Sequence, residues 1–112
     1  MILKEQKHDD IDIVVLSGRF TMSDTVQVRE RLKTLIDQGD GKLIIDMESV
    51  TFIDSSACAV LISAFKSMQT KSGQLVFITN PVIQSLIELT RLHTIFEILP
   101  NLTAALAVFN KD

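Results

Sequence analysis

A chain of 112 residues can bury one hydrophobic core but not two, so a single domain covering residues 1–112 is expected. The formal net charge of −3, with Lys and Arg scattered, leaves no basic stripe for a phosphate backbone and disfavours direct nucleic-acid binding. No apolar run is long enough to cross a bilayer, and the N-terminus MILKEQKHDD turns charged too early for a secretory signal, so a cytoplasmic protein without membrane insertion is expected.

Ile2 to Lys7 is a weakly patterned strand and Ile11 to Leu16 a stronger one, rich in β-branched residues, with His8, Asp9 and Asp10 as the turn between them. After Gly18, Thr21 or Ser23 can cap a helix in which Val28, Leu32, Leu35 and Ile36 recur at helical spacing, and Gly39 and Gly41 stop it. Lys42 to Met47 contains the unbroken run Leu43, Ile44, Ile45, which predicts a strand covered on both faces. Glu48 to Asp54 then reads as a connection into the next helix.

That helix is the centre of the chain. Asp54, Ser55 and Ser56 stand where it begins and can meet backbone N–H groups that lack a partner inside the helix. Ala57, Val60, Leu61, Ala64 and Met68 form an apolar stripe, widened by Cys58, Ile62 and Phe65. The opposite arc holds Ser55, Ser56, Ala59, Ser63, Lys66, Ser67 and Thr70. It is small and weakly polar, which fits either a solvated face with Ser55 as a capping serine or a surface that another protein approaches closely.

Ser72 and Gly73 end this helix, and Gln74 to Thr79 repeats the buried-strand pattern, so strand, helix and strand predict a right-handed parallel crossover. Asn80 and Pro81 start a helix with Val82, Ile83, Leu86, Ile87 and Leu89 on its apolar side. Ile95 to Leu99 reads as a short edge strand closed by Pro100. Asn101 caps a last helix carrying Leu102, Ala105, Leu106 and Phe109. The order predicts an α/β fold with a mixed four- to five-stranded sheet and about four helices.

Enzymatic constellations are missing from the sequence. His8, His93 and Cys58 form no cluster with zinc-ligand spacing, and there is no G-x-S-x-G, P-loop or G-x-G-x-x-G motif. Asp46 reads as the end of a strand and Asp54 as part of a cap rather than as a metal pair. Ser55 has no evident general base, and a hydrolase reading would need His93 to reach it. A non-enzymatic protein without metal or cofactor is expected, with Cys58 as a small buried hydrophobe.

The stretch LIIDMESVTFIDSSACAVLISAFKSMQTKSGQLVFITN resembles the signature of STAS domains, and within them the bacterial anti-sigma factor antagonists. There an apolar strand leads through D-S-[ST]-G-[LVI]-G into a helix, a glycine and another apolar strand. LSGRFTMSDTVQVRERLKTLI and LTRLHTIFEILPNLTAAL resemble the flanking segments, so the similarity spans nearly the whole chain. Ala57 and Ala59 replace glycines of the signature, and Thr21 stands where many antagonists have aspartate.

The resemblance implies that Ser55 is phosphorylated by a partner serine kinase of the anti-sigma type, with Asp54 as the aspartate before it and Ser56 as a lesser acceptor. It implies that the unphosphorylated form binds the anti-sigma factor, that the phosphorylated form does not, and that a metal-dependent serine phosphatase reverses the change. Expected partner contacts are Asp54, Ser55, Ser56, Ala59 and Ser63, together with Thr21 and Ser23. The alternative is a STAS subunit docked constitutively on the ATPase of an ABC lipid-trafficking transporter, with Ser55 only a cap. A monomer is the expectation in either case.

Overall fold

Period-two alternation lets one sheet serve two cores. The computed structural model describes residues 1–110. Five strands, β1 (Ile2–His8), β2 (Ile11–Phe20), β3 (Lys42–Ile53), β4 (Gln74–Ile78) and β5 (Glu97–Leu99), lie side by side in chain order. β1 pairs antiparallel with β2, and the other neighbours are parallel. Leu43, Ile45, Leu75 and Phe77 point into one core, and Ile44, Val76 and Ile78 into the other. Both sheet faces are thus covered, as the apolar runs in β3 and β4 require.

Three helices, α1 (Thr25–Gln38), α2 (Ser55–Thr70) and α3 (Pro81–Leu89), supply the larger core through Val28, Leu32, Ile36, Val60, Leu61, Ile83 and Ile87. The short α4 (Leu102–Phe109) covers the other face through Ala105. Lys71, just past α2, donates from Nζ to the Ile36 carbonyl and, at 2.7 Å, to that of Gly39. These carbonyls end α1 without helical partners, so one ammonium closes one helix from the end of its neighbour.

The mixed sheet and the four helices match the expected architecture. Several boundaries differ. β2 continues past Leu16 to Phe20, and β3 continues past Met47 to Ile53 where a connection was expected. The register shifts between Val15 and Ser17 and again between Gly18 and Arg19, each time with one extra residue on β3. Such bulges let pairing continue while the strand twists. Gly18, at φ +86°, takes a conformation that side chains disfavour. Val50 and Ile53 are buried on the extension, but Glu48, Ser49 and Thr51 hide the pattern in sequence.

Asn80 stabilises this distorted segment. Its Nδ2 donates to the carbonyls of Glu48 and Val50 at 2.8 Å each, while its Oδ1 accepts from the Ile83 amide at 2.9 Å. One side chain therefore caps α3 and ties down the bulged end of β3. On α3 itself, Val82 and Leu89 are 58% and 81% exposed, so only Ile83 and Ile87 of the expected stripe are buried. Ile95 is exposed and lies ahead of β5, in the turn that follows Leu92–Thr94.

Candidate functional site

The extended ends of β2 and β3 deliver Phe20 and Ile53 side by side. The next residue, Asp54, donates its backbone N–H to the Phe20 carbonyl at 3.4 Å, and α2 begins at Ser55. Asp54 is in extended backbone and is the N-cap: its Oδ1 accepts from the Ala57 amide at 2.8 Å. Its Oδ2 accepts from the Met22 amide at 2.9 Å. A single carboxylate thus fixes the start of α2 and the turn ahead of α1.

That turn, Met22–Asp24, is one 3-10 turn. Asp24, not Thr21 or Ser23, is the N-cap residue of α1, and its carboxylate accepts from the Thr21 amide at 3.0 Å. The Thr21 and Ser23 hydroxyls instead face each other at 3.2 Å. Thr21 is the N-cap residue of this turn, which runs directly into α1, so the expected cap at Thr21 stands one turn earlier than α1 itself and only the cap at Ser23 is corrected. Their hydroxyls belong to a short polar turn held against α2.

Ser55 occupies the first helical position and is exposed, and its hydroxyl takes no part in the cap. The sequence left open whether Ser55 caps the helix; Asp54 performs that task. Ala59 and Ser63 lie exposed on the next two turns of the same side, and Ser56 is half-buried. Ser55 and Ser56 keep amides that have no acceptor within the helix, so the site offers a small, open surface with positive helix-end character.

Two residues join the site that sequence periodicity did not single out. Met22 and Val26 are 69% and 64% exposed, and Met22 is tied to Asp54 through its amide. Val26 offered one signal, an apolar residue out of phase with the buried row Val28, Leu32 and Ile36. Beneath the site Cys58 is buried. Burial first, and the Asp54 carboxylate second, push its thiol above the ordinary cysteine range, so it remains protonated and apolar.

The hydrolase reading needs His93 beside Ser55. His93 lies in the turn after α3, and Phe96, three residues on, packs against Phe65 in α2. Phe65 is ten residues from Ser55, about 15 Å along a helix. Among the described residues, no group of three or more His, Cys, Asp or Glu could hold a metal ion, and no helix is long and apolar enough to cross a membrane.

The family model described as STAS domain matches residues 3–105. The anti-sigma-B factor antagonist of Listeria monocytogenes is 33% identical over 97 residues, covering 86% of this chain and 84% of that protein. Among solved structures, a Thermotoga maritima protein superposes with a TM-score of 0.91 at 18% identity, over 97% of this chain and 95% of that one. The Bacillus cell fate determinant SpoIIAA in its phosphorylated form gives a TM-score of 0.75 at 16% identity, over 96% and 99%. At these identities the two structures speak for the fold.

Proposed function

The chain belongs to the STAS domain family, among its anti-sigma factor antagonists, and on that premise we propose that it is a protein-binding switch controlled by phosphorylation of Ser55. The unphosphorylated form binds an anti-sigma factor that is also its serine kinase. Phosphate on Ser55 ends that binding, and a metal-dependent serine phosphatase restores it. Contact falls on Asp54, Ser55, Ser56, Ala59 and Ser63 of the central helix and on Thr21, Met22, Ser23 and Val26 of the adjoining turn and α1.

One observation carries this reading: the Ser55 hydroxyl is exposed at the first position of α2 while Asp54 alone holds the cap. A phosphoserine adds about −1.5 to −2 charges near neutral pH. At a helix N-terminus the protein itself accommodates that charge. A partner seated on Ser55 and Ala59 would instead have to bury it, at several kcal/mol unless cations meet it. Binding is lost while the fold is kept. That a protein of this fold is described in a phosphorylated form supports the reading. The transporter-subunit alternative made Ser55 a structural cap, a role for which Asp54 leaves no need.

Affinity capture from the native host, with wild-type and Ser55→Asp baits and mass-spectrometric identification, tests the proposal. Wild type is expected to capture a serine kinase of the anti-sigma type and Ser55→Asp to lose it. A folded Ser55→Asp protein that captures the same partner equally well would overturn the switch.

A further inference from the structure

A groove of about 280 Å³ runs between α1 and α2 and shares only Ser63 with the residues assigned to the switch. Its floor is Leu32, Ile36, Val60 and Ala64, all buried, and Ser63 and Ser67 form the α2 wall. The α1 wall carries Arg29 and Lys33, both exposed. Neither makes an ion pair among the described residues, whereas Lys7, Arg31 and Lys42 all do. In a chain of formal net charge −3, two adjacent unpaired cations over an interhelical groove are a local reversal of sign. Asp37, one turn further, closes the far end with the opposite charge.

The row continues towards Ser55. Met22, Val26, Arg29 and Lys33 are spaced by four, three and four residues, which places them along one side of α1 and the turn before it. The side facing a partner is therefore apolar beside Ser55 and cationic beside Ser67. Arg29 and Lys33 are i and i+4, about 6 Å apart, the spacing of carboxylates at i and i+4 on a facing helix. Grooves between packed helices accept the side-chain ridge of a third.

We propose that this groove seats an acidic amphipathic helix of the partner, with apolar side chains on Met22 and Val26 and two carboxylates, one turn apart, on Arg29 and Lys33. The proposal rests on the reading of the Ser55 face as the partner-binding face and adds the partner's chemistry to it. It also gives the phosphate a second effect. A dianion on Ser55 stands at the end of a row that recruits negative charge, so it repels the same acidic helix that the cations attract.

Selection from a displayed library of helical peptides, randomised in sequence and panned on the intact wild-type protein, tests the chemistry without knowledge of the native partner. Selected helices are expected to carry Asp or Glu at i and i+4 beside an apolar turn. They are expected to bind Arg29→Glu/Lys33→Glu at least tenfold more weakly, to weaken with added salt, and to shift amide resonances of α1 and α2. Panning on that variant is expected to enrich Lys and Arg instead. Failure to enrich any helix, enrichment without acidic preference, or unchanged binding to the folded variant overturns the groove proposal. Failure of the functional reading shows elsewhere, as equal capture of the native partner by wild type and Ser55→Asp.

Discussion

The carboxylate of Asp54 accepts the backbone amide of Met22 at 2.9 Å while its other oxygen caps α2 at Ala57, so the two segments of the candidate interface share one anchor. Replacing Asp54 with alanine removes both bonds. We expect a loss of roughly 1–3 kcal/mol, from the cap and the added tie. Asp54→Asn, which keeps an oxygen acceptor, should retain more than half of that stability. Urea unfolding of the three proteins checks this, and equal stability of Asp54→Ala and wild type would contradict the anchor.

Ser55 lies one residue further and does no capping. Ser55→Ala should change stability by no more than about 0.5 kcal/mol. Ser55→Asp should match or exceed wild type by about 0.3–1 kcal/mol, because a carboxylate in the first turn meets the positive end of the helix. Thermal unfolding in low salt measures both. A large destabilisation by either change would place Ser55 in the structure of the helix start and remove the separation between fold and switch.

The central helix was legible because its signal is local. The apolar stripe Ala57, Val60, Leu61, Ala64 and Met68 is buried, and Ala59 and Ser63 are exposed, as helical spacing requires. Asn80 and Asn101 cap the helices that their positions announce. What escaped is non-local. The continuation of β3 to Ile53 depends on two bulges that pair polar stretches with β2, and alternation breaks at each bulge. The bond from Asp54 to Met22 spans 32 positions, so neither residue's neighbours in sequence foretell it.

Asn80 combines a local role with one that only the fold reveals. Asn80→Ala loses the α3 cap and the donors to Glu48 and Val50, a cost of about 2–4 kcal/mol. Asn101→Ala loses only a cap, about 1 kcal/mol. Asn80→Asp separates the roles, since it keeps the acceptor for Ile83 and turns a carboxylate towards carbonyl oxygens. It should be as destabilising as alanine or more so. Chemical denaturation of the three variants gives the ranking, and an Asn80→Asp protein as stable as wild type would show that the ties to β3 contribute nothing.

Cys58 gives the prediction with a pH signature. Burial, reinforced by the Asp54 carboxylate, raises the thiol's pKa in the folded protein above its unfolded value of about 8.5. Below that value both states are protonated and the thiol adds no pH dependence. Above it the unfolded chain releases a proton that the folded protein retains, so fewer protons are bound in the unfolded state and stability falls as pH rises. Cys58→Ala lacks this loss. At pH 7 the variant should be less stable than wild type because it forfeits the buried sulfur's packing. At pH 9.5 the gap should narrow, and the wild-type thiol should resist a neutral disulfide reagent until the protein opens. A gap that widens with pH, or rapid labelling of the folded protein at pH 8, would contradict the placement of Cys58 beneath the cap.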